Sequence, residues 1–130
     1  MKSKIESFED LFVYQKAREF SRNISKLVKE LPEDEKYKLK DQMTRARRSI
    51  TNNIAEGYGR FHYQENIQYC RQSRGSICEI LDDLIECDDE KYIGEDEFRS
   101  LKEEGYGLLK ILNKYIAYLQ KAKIEFAKEK

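Results

Sequence analysis

Apolar side chains recur every three or four positions from Phe8 through Leu11, Tyr14, Ala17, Phe20, Ile24, Leu27 and Val28 to Leu31, and the chain's one proline, Pro32, stands where that stripe stops. A strand would need alternation by two, so this spacing commits the segment to a helix with one dry and one wet face. Ser7 is placed to cap it, with Glu9 and Asp10 in the first turn, where the helix dipole favours negative charge. Pro32 ends the first helix and opens the second, because proline is tolerated in a first turn but not in an interior.

The same period returns three more times. A second helix over 33–57 turns Leu39, Met43, Ala46, Ile50 and Ile54 inward, and Gly57 and Gly59 supply its stop, one of them in a left-handed conformation. A third over 63–90 buries Ile67, Cys70, Ile77, Leu81, Leu84 and Ile85. A fourth over 96–128 carries Phe98, Leu101, Leu108, Leu112, Tyr115, Ile116, Leu119 and Phe126, with Gly105 and Gly107 weakening its middle or admitting a close neighbour. Short connections make successive helices antiparallel neighbours. The expected fold is all-α, an up-down-up-down four-helix bundle spanning 1–130 as a single domain.

Composition agrees with that reading and narrows the function. Hydrophobic residues make up 39% of the 130 and charged residues 38%, which suits an apolar seam under a solvated shell. No apolar run approaches the roughly 18 residues of a membrane span, and Met1-Lys2-Ser3-Lys4 has no apolar leader core behind it, so a cytoplasmic chain with no membrane partner is expected. Cys70, Cys78 and Cys87 are odd in number and lack zinc-site spacing. Cys70 and Cys78 fall on one helical face with Ile67, Ile77 and Leu81, and all three read as reduced, small core hydrophobes.

Catalysis finds little support. The lone histidine, His62, stands where it can cap the third helix and has no reactive Ser or Cys beside it. Phosphate-loop and His-Glu-x-x-His zinc patterns are absent, and the carboxylates at 79, 82, 83 and 86 lack the histidines of a di-iron bundle. No catalytic residue, metal ligand or cofactor is assigned.

The informative part is the second helix and its exit. The net charge is zero, yet residues 36–74 hold nine Lys/Arg against three Asp/Glu, and residues 79–104 hold twelve acids against three bases. Arg45, Arg47 and Arg48 cannot all point inward. Lys38 and Lys40 extend their charge backward, and Arg60 and Arg71 lie across the following turn among Tyr58, Phe61, Tyr63 and Tyr69. Guanidinium groups make bidentate contacts to phosphate and tyrosines stack on unpaired bases, so these residues describe a phosphate-tracking surface without a base-reading motif. Solvated helix faces, or pairing of the basic segment with the acidic segment of a second copy, would use the same residues.

Beside the apolar stripe of the second helix runs a polar one. Gln42, Ser49, Asn53 and Glu56 recur at helical spacing, and the third helix offers Arg74, Ser76 and Glu79. Polar groups at a core margin need partners or cost about 1–3 kcal/mol each, so a register-fixing network, with Arg74–Glu56 or Arg60–Glu79 as ion pairs, is expected there. An oligomer interface or a ligand site would also satisfy these groups.

The block Asn53-Ile54-Ala55-Glu56-Gly57-Tyr58-Gly59-Arg60 resembles the four-helix-bundle proteins first noted as reading frames inside intervening sequences of bacterial 23S rRNA genes. The resemblance extends over Phe8-Glu9-Asp10-Leu11, Val13-Tyr14-Gln15-Lys16-Ala17, Tyr37-x-Leu39, Gln42, Arg45-Ala46, Ser49-Ile50, Gly75-Ser76 and Glu79. It implies a homopentamer around a central axis. It also implies kinship with the accessory protein of diversity-generating retroelements, a basic bundle that binds nucleic acid and a reverse transcriptase. The chain departs from the pattern at Thr51, where many members have proline, at Thr44, where another base is common, and at Arg47 and Arg48, where small or apolar residues are typical.

Overall fold

A computed structural model describes residues 4–129; residues 1–3, on which the expectation of no leader core partly falls, and residue 130 lie outside the described residues. Four helices and no strand make up the described chain: α1 (Phe12–Glu30), α2 (Leu39–Gly59), α3 (Tyr63–Asp89) and α4 (Glu95–Lys128). No helix among these residues is long and apolar enough to cross a membrane.

Two boundaries differ from the expected ones, both for local reasons. Ser7 caps a 3-10 turn, Phe8–Asp10, rather than α1 itself: its hydroxyl accepts from the Glu9 N–H at 3.1 Å. The Asp10 carboxylate in turn accepts from the Glu6 and Ser7 N–H groups. After Pro32 the acidic Glu33–Glu35 forms a second 3-10 turn, and α2 begins only at Leu39, not at residue 33. Lys38, with φ −119° and ψ −100°, breaks the helical path between them.

Backbone packing joins α1 to α2, α2 to α3, α3 to α4, and α4 back to α1, with no close backbone approach across either diagonal among the described residues. The ring encloses one apolar cluster. Phe20 and Ile24 of α1, Met43, Ile50 and Ile54 of α2, Ile67, Ile77, Ile80 and Leu84 of α3, and Leu112 of α4 are completely buried in it. Each such side chain contributes about 1.5–3 kcal/mol of burial, which makes this seam the main source of stability.

The α3 register is rotated slightly from the expected one. Ile80 and Cys87 are core residues, whereas Ile85 is 45% exposed and Cys78 is exposed, so Cys78 does not share the buried face of Cys70. Phe126, expected inward, lies on the surface near the end of α4 with its ring 6.0 Å from that of Tyr63. Burial pushes the Cys70 and Cys87 thiols up to about 12, which leaves them as inert packing groups.

Two glycines set helix spacing. A Cβ at Gly57 would sit 2.7 Å from Asn66 Oδ1 and 3.0 Å from Tyr69 Cβ, and one at Gly105 would sit 2.8 Å from Leu81 Cδ2. No glycine has a positive φ among the described residues, contrary to the expected stop at Gly57 or Gly59. The left-handed residue of the α2–α3 turn is Phe61, with φ 60°. Gly57 is needed for close approach, not for its backbone freedom.

Candidate nucleic-acid interface

The seven cations expected to face an anion divide into two groups. Three are engaged by carboxylates of their own chain. Arg45 bonds Asp41 one turn back, Lys40 lies 3.4 Å from Glu33 with its side chain only 18% exposed, and Arg60 reaches Glu56 at 3.2 Å. Arg60 also donates to the Tyr69 hydroxyl at 2.7 Å, and Tyr69 and Glu56 together raise its guanidinium above the ordinary value. The other four, Lys38, Arg47, Arg48 and Arg71, form no ion pair among the described residues. Lys38, Arg48 and Arg71 are exposed.

Arg47 differs from the rest. It is half-buried at the α1–α2 seam, where its Nη1 donates to Ser21 Oγ at 3.3 Å and the Ser21 hydroxyl donates back to the Arg47 carbonyl at 3.2 Å. Its Nε is buried without a hydrogen-bond partner. Burial, followed by the charges of Arg48 and Arg18, lowers this guanidinium from its ordinary value. Sequence reasoning missed Arg18 and Ser21. The available signal was Ser21 itself, a hydroxyl set within the apolar run Ala17, Phe20, Ile24 and Val28.

The polar stripe forms a smaller network than expected. Asn53 Nδ2 donates to the Ser49 carbonyl and to Ser49 Oγ, both at 2.9 Å, and Ser76 Oγ of α3 donates to Ser49 Oγ at 2.9 Å. One turn deeper, Ser73 Oγ donates to the Ile50 carbonyl at 2.8 Å. These bonds fix α3 against α2. The expected Arg74–Glu56 and Arg60–Glu79 pairs do not form: Arg74 reaches across to Asn113 of α4 at 2.9 Å, and Arg60 keeps to Glu56 on its own helix. Gln42 and Glu79 are exposed and stand outside the network.

His62 occupies the N-cap position of α3 without a side-chain cap bond. Thr51 is buried, its hydroxyl donates to the Arg48 carbonyl at 3.3 Å, and α2 runs through it unbroken. No group of three or more His, Cys, Asp or Glu among the described residues is arranged to hold a metal ion.

On α3, Asp83 is a buried carboxyl, 6% exposed, whose Oδ2 has no partner. Burial, with the charges of Glu79, Asp82 and Glu86, pushes it up to about 7. The acidic side of the molecule therefore sits on the same helix as Arg71 and Arg74 but toward its other end.

Four helices around one apolar core define an all-α bundle. Residues 9–114 match the model of the family described as 23S rRNA-intervening sequence protein, and the chain belongs to that family. A comparison with curated proteins finds no match for it.

Proposed function

We propose that this chain is a non-enzymatic, cytoplasmic, self-assembling bundle that binds RNA, or DNA, by contacting backbone phosphates. The observation that carries the reading is a set of cations without carboxylate partners among the described residues, on a chain of zero net charge: Lys38, Arg47 and Arg48 on and before α2, and Arg71 on α3. Family membership supports an association with RNA. Arg45 and Arg60 join this surface on contact with a polyanion, because exposed pairs one helical turn apart stabilise by only about 0.3–0.5 kcal/mol and yield readily to phosphate.

The helix path belongs to the same proposal. Ile50 with Ser73 and Gly57 with Asn66 pair α2 and α3 in opposite senses, and Leu81 with Gly105 and Asn66 with Tyr115 do so for α3 and α4. These pairs support an up-down-up-down course. Assembly into a pentamer follows from family resemblance, and light scattering at known concentration measures it.

Filter binding against a structured RNA at several salt concentrations tests the function. Counterion release requires a steep, log-linear loss of affinity with salt. Charge reversal at Arg48 and Arg71 should weaken binding to every sequence alike. Absence of binding at low salt defeats the proposal.

One observation favours a second reading. Glu79, Asp82 and Glu86 are exposed on α3 and form no ion pair among the described residues, so they could meet the cations of a neighbouring copy. That arrangement predicts salt-sensitive assembly with no nucleic-acid affinity.

A further inference from the structure

The α1–α2 seam gathers three arginines, one of which, Arg18, also lines a surface cavity with Glu9, Glu19 and Arg22. Arg18 of α1, one turn before Ser21, and Arg48 of α2 are exposed, and the charges of both act on the half-buried Arg47. None of the three forms an ion pair among the described residues. Like charges this close repel, and a buried charged group left with an unmet donor is costly. Arg47 Nε is such a donor. Ser21, only 2% exposed, holds the guanidinium through the reciprocal bonds of its hydroxyl to Nη1 and to the Arg47 carbonyl. A helix face needing only solvation would not fold an arginine back into the seam and leave its Nε unmet.

We propose that Arg18, Arg47 and Arg48, with Ser21 as the positioning residue, form a discrete seat for one phosphoryl oxyanion at the α1–α2 seam. The guanidinium fork matches the oxygens of a phosphate, and two flanking arginines balance its charge. The site deepens the nucleic-acid reading and rests on it for its natural ligand, a backbone phosphodiester. It places that contact on the α1 side of α2, away from the aromatic turn that follows α2. Free phosphate offers the same chemistry, and the two sources are separated below.

The test follows the Arg47 Nε–Hε resonance of the full chain by NMR, assigned by its loss in Arg47→Lys, during titration with inorganic phosphate or an oligouridylate at constant ionic strength. Saturable shifts are expected with both, and none with chloride. Arg18→Ala and Arg48→Ala should each weaken phosphate binding about tenfold, the loss of one charge-assisted contact. Ser21→Ala should weaken it without changing the net charge, and Ser21→Thr should restore it.

A resonance that ignores phosphate, or shifts equally in the Arg18→Ala/Arg48→Ala double variant, overturns the site. RNA binding undiminished in that double variant also overturns it, while leaving the nucleic-acid reading intact. Saturation by phosphate with no response to RNA keeps the site, assigns it to free phosphate and removes the phosphodiester as its ligand, while filter binding alone decides the nucleic-acid reading. A shift that tracks protein concentration and ignores phosphate assigns the arginines to a second copy and overturns the site.

Discussion

Gly57 of α2 lies so close to Asn66 of α3 that a Cβ on the glycine would be 2.7 Å from Asn66 Oδ1 and 3.2 Å from the Asn66 carbonyl oxygen. Backbone cannot withdraw as a flexible side-chain tip can. Gly57→Ala should therefore destabilise by about 1–3 kcal/mol despite the better helix propensity of alanine. Gly75, exposed in the middle of α3 with nothing within 4 Å of a Cβ, is the control. Gly75→Ala should stabilise by about 0.5–1 kcal/mol. Urea melts of both variants check the pair, and equal effects would contradict the close approach.

Phe61 holds a left-handed backbone, φ 60°, while 85% of it faces solvent. A side chain in that region costs about 1–2 kcal/mol, and its one ring neighbour, Tyr58, sits at a centroid distance of 6.4 Å. Phe61→Gly should raise stability by about 0.5–1 kcal/mol, net of the entropy glycine adds to the unfolded chain. Thermal unfolding decides it, and a loss of stability would mean that the ring packs against more than Tyr58.

Asp83 makes stability depend on pH in an unusual direction. Its carboxyl is pushed from an ordinary 3.8 up to about 7 in the native chain, first by burial and then by Glu79, Asp82 and Glu86. Below about pH 4 both native and unfolded chains carry the proton, so the group has no effect. Between about pH 4 and 7 the unfolded chain has released a proton that the native chain retains, so this group lowers stability progressively as pH rises. Asp83→Asn should flatten that slope and add about 1–3 kcal/mol at pH 8. Denaturant midpoints measured across pH for both proteins provide the check.

The Ser49–Ser76 bond joins α2 to α3 at 2.9 Å. A double-mutant cycle of Ser49→Ala and Ser76→Ala should return a coupling of about 0.5–1 kcal/mol. Exposed Gln42 and Glu79, outside the network, should each change stability by less than about 0.5 kcal/mol when replaced by alanine. A coupling of zero would remove the serine pair from the register-setting contacts.

Among the surface cations, Arg48→Ala and Arg71→Ala should each reduce the salt slope of RNA binding by about 1. Arg60→Ala should reduce it less, since that guanidinium is already shared between Glu56 and Tyr69. Slopes from filter binding order the three variants, and an effect of Arg60 greater than that of Arg48 would reverse the assignment.

How far the chain could be read beforehand varied with the range of the forces involved. The stripes of α1 and α2, and that of α4 up to Leu119, were plain, because a helix buries residues at its own period. Ile85 and Cys78 turned out exposed because the exact rotation of α3 about its axis is set by its packing against α2 and α4, which its own period does not give. The left-handed residue is Phe61 rather than a glycine because α2 continues through both Gly57 and Gly59 before the chain turns. The cations of α2 and its exit turn were identifiable, whereas Arg18 of α1 was not. Which of them keep a free guanidinium was not, since pairing depends on rotamers and on residues one turn or one helix away.

Local periodicity and the single proline by themselves determined four helices and the cationic character of the second, with the starts of the first two displaced to Phe12 and Leu39. They could do so because each is decided within a few residues of backbone. Only the tertiary structure decided that Ser21 of α1 would catch Arg47 of α2, and that Arg74 would turn to Asn113 instead of Glu56. Those outcomes depend on helix rotation and spacing, set by how a whole core packs, and no short stretch of chain contains that information.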